Sequence, residues 1–115
     1  MAIEPGDLVP SDGGGFDVAV STAADAAWVR VSGELDIATA AVLVDRINAL
    51  DLDGRTRVVF DLSGLMFCDA RGAAALIAGQ DTLLRTGHQV SVSGVPRLTR
   101  RLLALTGLDQ LLDIR

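Results

Sequence analysis

The sequence predicts an α/β domain, a mixed β-sheet with helices packed against it, in the order β-β-α-β-α-β-α. Two patterns carry this. Short runs alternate aliphatic with polar residues, and between them aliphatic residues recur at helical spacing, with Gly, Pro, Asp and Ser clusters at the changes. A chain of 115 residues that is 50% hydrophobic and 22% charged has room for one compact core, so one domain is expected.

The elements follow in order. Residues 1–15 carry Pro5, Pro10, Ser11 and the run Gly13-Gly14-Gly15, too few apolar groups to offset ordering entropy, and are expected to form a flexible tail before a domain over 16–115. Phe16 to Ser21 alternates as a strand, Thr22 to Asp25 turns, and Trp28 to Gly33 alternates again, which predicts a hairpin. From Thr39 to Leu50, Leu43, Ile47 and Leu50 fall at i, i+4 and i+7, an amphipathic helix. Arg57 to Leu62 is an apolar run between the turn signals Asp53-Gly54 and Ser63-Gly64 and reads as a central strand covered on both faces.

From Gly72 the set Ala73, Leu76, Ile77, Gln80, Leu83 and Leu84 predicts a second helix, capped by Gly87. Gln89 to Ser93 alternates as the last strand. Pro96 opens a third helix in which Leu98, Leu102 and Leu105 line one side, and Gly107 ends it. Leu108 to Ile114 is expected to dock on the core as a helical turn or an edge strand. Strands joined through helices must run parallel, with right-handed crossovers. The expected core draws on Val29, Val31, Leu43, Ile47, Val58, Phe60, Leu62, Leu76, Ile77, Leu83, Val90 and Val92, with Leu98 and Leu102.

Composition excludes several functions. The aromatic fraction is 3%, with no Tyr, leaving almost nothing on which to stack bases, and a net charge of −5 repels phosphate backbones. Direct nucleic-acid binding is not expected. All ten basic residues are Arg, for which we have no functional reading. The single Cys68 rules out an intramolecular disulfide or a Cys-built zinc site and fits a reducing compartment. No apolar run approaches about 18 residues, so no membrane insertion is expected, and the expected location is cytoplasmic.

Candidate chemistry is sparse. Cys68, Asp69 and His88 are the only obvious catalytic trio, but the second helix separates His88 from the other two by about 20 Å at about 1.5 Å per residue, which excludes a dyad within one subunit. His88 reads more simply as a solvated residue at a helix C-terminus, and Cys68 as a small buried hydrophobe rather than a redox sensor. Asp36, Asp61 and Asp69 could gather at one end of the sheet and bind a metal, yet no Ca²⁺-loop spacing or His partner accompanies them; capping and turn formation explain Asp36 and Asp69 better. The glycines form no phosphate cradle, and neither a metal nor a cofactor is expected. Arg97, Arg100 and Arg101 make one basic patch, read first as a solvated face. What stands out is Phe67-Cys68-Asp69-Ala70-Arg71-Gly72, a strand-to-helix junction placed for recognition.

These segments carry a resemblance. Val31-Ser32-Gly33-Glu34-Leu35-Asp36 with Thr39-Ala40, then Val58 to Leu65, then Phe67 to Gly72, then Leu105-Thr106-Gly107-Leu108, in that order, resemble the STAS domain of bacterial anti-sigma factor antagonists, with the match running from Phe16 to the C-terminus. The resemblance implies the STAS-like fold and a non-enzymatic protein-interaction switch in partner-switching transcription control, in which the dephosphorylated antagonist binds a GHKL-type anti-sigma kinase and frees the sigma factor. It implies a partner-binding face at Asp36, Thr39, Asp69, Ala70, Arg71 and Gly72. The family junction reads Asp-Ser, a small residue, then Gly, and the kinase phosphorylates the Ser. Here that position is Ala70 and the next residue is Arg71, so this position cannot be phosphorylated and the protein is expected to remain binding-competent. Arg71 could meet a partner carboxylate or an anion. Two rivals stay open: a STAS regulatory subunit of a lipid-transport ABC ATPase, and a module sensing a nucleotide or other anion near residues 69–72. A chain with an N-terminal tail and no membrane segment favours the antagonist.

Overall fold

The computed structural model describes residues 15–115, so the expected tail lies, but for Gly15, outside the described residues. Strands β1 (Asp17–Ala23) and β2 (Ala26–Leu35) form the predicted antiparallel hairpin, closed by a turn only at Ala24 and Asp25 because both strands run further than their strictly alternating centres. Helix α1 (Ala40–Asn48) follows, then strand β3 (Arg57–Cys68), helix α2 (Ala70–Arg85), strand β4 (Gln89–Ser93), helix α3 (Arg97–Thr106) and a 3-10 helix (Leu108–Leu111).

The element order is the one the patterns predict, and the sheet order is β1-β2-β3-β4, with β2, β3 and β4 parallel as helical connections require. Val29, Val31 and Leu35 of β2 point into one core with Leu43 and Ile47 of α1, Val58, Phe60 and Leu62 of β3, Leu76 and Leu83 of α2, and Val92 of β4. Trp28 and Arg30, on the opposite side of β2, are exposed, so the helices cover one face of that strand. Both expectations for the C-terminus are met in part. The 3-10 helix leads to buried Leu112, and Ile114 then makes an isolated parallel bridge to Val92. Gln80, buried in α2, donates from Nε2 to the Leu111 carbonyl at 2.7 Å and ties that segment down.

Five expectations need correction. Ser63-Gly64 is not a turn: β3 continues to Cys68. Arg30 pairs with Asp61 and Ser32 with Gly64, so β3 carries an extra residue here, and a small flexible pair marks a β-bulge instead of a strand end. Helix α2 starts at Ala70, two residues before Gly72, because Asp69 supplies the cap. Helix α1 stops at Asn48 and leaves Leu50, half-buried, beyond it.

The fourth concerns α3. Leu98, expected in the core, is 77% exposed, as is Leu105, and Leu102 is only half-buried; Thr99 and Leu103 face inward instead. Beside the stripe of Leu98, Leu102 and Leu105 runs a narrower one made of Thr99 and Leu103, and it is this one that faces the core, next to the docked Leu108–Leu112 segment. Gly107 ends it as predicted, with a φ of 75° that an L side chain adopts only under strain. Ile77 of α2 is likewise only half-buried.

Candidate partner-binding junction

The ends of β2 and β3 lie side by side, Leu35 opposite Cys68, so the two segments that follow them form neighbouring loops. Backbone contacts join them: Asp69 donates its N–H to the Leu35 carbonyl at 3.1 Å. Gly72 fills the space beside the same carbonyl, where a Cβ would come within 2.2 Å of the oxygen. The absent side chain is what lets α2 start against β2.

In the first loop Asp36 acts on the backbone. Its Oδ1 accepts from the N–H groups of Ala38 at 2.9 Å and Thr39 at 3.2 Å, an Asx-type turn. Thr39 is only 3% exposed; its Oγ1 donates to the Glu34 carbonyl at 2.8 Å and accepts the Asp36 N–H at 3.0 Å. With that hydroxyl spent internally, Thr39 shapes the turn from inside. The turn projects Ile37, 65% exposed. Sequence reasoning missed Ile37, although an aliphatic residue inside a polar turn, outside any periodic pattern, was a signal.

In the second loop Asp69 caps α2, its Oδ1 accepting the Gly72 N–H at 2.8 Å. Ala70 and Arg71, in the first turn, are exposed, while Gly72 is buried. The six expected residues therefore divide. Ala70 and Arg71 face solvent, Asp36 and Asp69 are half-buried, and Thr39 and Gly72 are interior residues that position the others.

The remaining candidates add no catalytic or metal chemistry to this junction. Cys68 is half-buried, and burial, followed by the charge of Asp69, pushes its thiol up to about 11. Its Sγ donates to the Asp69 carbonyl at 3.4 Å. A thiol held protonated is a poor nucleophile. His88 sits beyond the far end of the 16-residue α2, its Nδ1 3.0 Å from Thr86 Oγ1 and 3.2 Å from the Leu83 carbonyl, in a helix-terminal role. Asp61 lies in mid-strand and accepts the Ser63 N–H at 3.0 Å; that bond, with Arg30 nearby, lowers its pKa. It does not join Asp36 and Asp69, and among the described residues no group of three or more His, Cys, Asp or Glu is placed to hold a metal ion. No described helix is long and apolar enough to cross a membrane.

Fold and junction define a small mixed α/β domain with a capped strand-to-helix junction, and comparison with known proteins names its family. The family model described as "Mlab, STAS domain" matches residues 18–113. The anti-sigma-F factor antagonist RsfB of Mycobacterium tuberculosis is 35% identical over 86 residues, covering 73% of this chain and 68% of that protein. An anti-sigma-B factor antagonist of Staphylococcus aureus is 26% identical over 75% of this chain and 80% of its own length. The crystal structure of an anti-sigma factor antagonist from Mycobacterium paratuberculosis superposes with a TM-score of 0.74 at 31% identity, covering 86% of this chain and 84% of that one. The chain belongs to the STAS-domain family of anti-sigma factor antagonists.

Proposed function

We propose that this protein is a non-enzymatic anti-sigma factor antagonist acting in the cytosol. Residues 16–115 form its binding unit, and it holds an anti-sigma factor of the GHKL-kinase type by the face around Asp36, Ile37, Asp69, Ala70 and Arg71. The observation that carries this reading is the 35% identity to an anti-sigma-F factor antagonist across 73% of the chain. The exposed first turn of α2 supports it physically. Its leading N–H groups and the Arg71 guanidinium offer a polar, rigid surface on a capped helix.

We further propose that the contact is not switched by phosphorylation at this turn. Ala70 has no hydroxyl and cannot take on the roughly −1.5 to −2 charge of a phosphate. Thr39 is no substitute, because its Oγ1 is buried and engaged. The test combines the purified protein with the anti-sigma kinases of its own genome, with and without ATP. A stable complex that survives ATP, with the 68–72 peptide unmodified by mass spectrometry, is expected; Ala70→Ser should become phosphorylatable and release its partner. Arg71→Glu should weaken the complex without lowering thermal stability, since exposed residues contribute little to the fold. ATP-driven release of the unaltered protein overturns the unswitched reading, and capture of an ABC ATPase in place of a kinase overturns the anti-sigma one.

A further inference from the structure

Next to the junction, and continuous with it at Phe67, a second exposed surface lies along the edge of β3 that faces β4, beyond the end of β4. Opposite Gly33 and Glu34 of β2, strand β3 places Leu65 and Phe67, so Met66 between them is a second extra residue and a second bulge. A bulge interrupts the two-residue alternation and re-aims side chains. Here Met66 is 81% exposed and the next residue, Phe67, is half-exposed. β4 ends its pairing at Asp61–Ser93, well before this point. The start of α3 takes its place, and Leu98, Pro96 and Arg97 close a groove of about 280 Å³ with Met66, Phe67 and Leu65.

Two features of α3 are unfavourable in isolation. Arg97, Arg100 and Arg101 stand three and four residues apart in the first half of the helix, where like charges repel each other and the positive end of the helix dipole opposes them. Among the described residues none of the three has a carboxylate within ion-pair distance, in a chain whose net charge is −5. Leu98, beside them, leaves a large aliphatic side chain in water. An anionic occupant with an apolar anchor relieves both costs at once.

We infer that the groove between Met66–Phe67 and Leu98 is a docking site for an acidic protein segment, whose large apolar side chain enters the groove while its carboxylates meet Arg97 and Arg101. A protein segment fits better than nucleic acid or an anionic membrane. The site offers a concave apolar slot with few cations, and the net negative charge of the chain opposes extended polyanions. The groove adjoins the junction at Phe67 and Cys68, but the inference does not rest on the anti-sigma reading, because its test uses no anti-sigma factor.

The probe is a library of random dodecapeptides displayed on phage and selected on the immobilised full-length protein. Enriched peptides are expected to carry net negative charge and at least one Leu, Phe or Met, and to shift the amide resonances of Met66, Phe67 and Leu98 in NMR titrations. Arg97→Glu with Arg101→Glu is expected to weaken the best peptide at least about tenfold, as loss of close charge pairs does, and Leu98→Ser should do the same at unchanged thermal stability. Three results overturn the inference: no enrichment, enrichment of neutral or basic peptides, or binding that persists in both variants. Two more do so by supplying a different occupant, namely dimerisation abolished by Leu98→Ser, or flotation with phosphatidylglycerol vesicles abolished by the Arg pair.

Discussion

Helices α2 and α3 are both amphipathic, but they meet the rest of the molecule in opposite ways. Helix α2 buries seven positions, including Gly72 and Gly79, whose missing side chains admit Leu35 and Ile47. Helix α3 buries only Thr99 and Leu103 and turns leucines and arginines outward. One helix is built into the core along one whole face and exposes only the other; the second rests on the core and presents most of its surface. Shape at the α2 junction is therefore held by packing, while chemistry at the α3 surface is free to vary without cost to the fold.

That contrast can be broken by mutation. Leu76→Ala in α2 should lose about 2 to 5 kcal/mol in urea unfolding, as large-to-small changes in a packed core do. A loss below about 0.5 kcal/mol, the range of surface changes, would remove Leu76 from the core. Gly72→Ala is the sharper test of close approach. The added methyl meets the Leu35 carbonyl and should cost about 1 to 3 kcal/mol, although alanine is the better helix former. A gain in stability would show that α2 can move away from β2.

A pH effect should be smaller. Because the native Cys68 thiol titrates near 11, against an ordinary value of 9.0, the unfolded chain loses its proton first. Its contribution to stability is complete below about pH 9 and disappears as pH rises toward 11. The comparison is the pH 8 to pH 10.5 difference in stability of the protein and its Cys68→Ala variant; equal differences would mean that burial does not hold the thiol protonated. The smallest effect belongs to α3, where Leu98→Ser should change stability by less than about 0.5 kcal/mol, measured by the same unfolding. A core-sized loss would place Leu98 in the packed interior and dissolve the contrast.

Much of the fold was legible in the chain. Alternation marked the hairpin and β4, Leu76 and Leu83 marked the inner face of α2, and Gly107 marked the end of α3. The junction was legible too, with Asp69 as its cap; the close contact at Gly72 was not, because nothing in the chain shows that the Leu35 carbonyl lies beside it. The division of labour within the junction was not, because Thr39 looks the same whether its hydroxyl faces solvent or the Glu34 carbonyl.

The sequence alone determined the order of elements, the residues available for the core and the absence of a hydroxyl at position 70, all of which follow from covalent identity and local periodicity. The tertiary structure decided which stripe of α3 faces inward and that β3 runs on past Ser63-Gly64. It also decided that Met66 and Phe67 emerge together. Periodicity fixes how side chains are spaced around one element, but the rotation of that element, and any extra residue in its pairing, depend on neighbours distant in sequence. Periodicity favoured Leu98 over Leu103 as a core residue, and the packed structure reversed that choice.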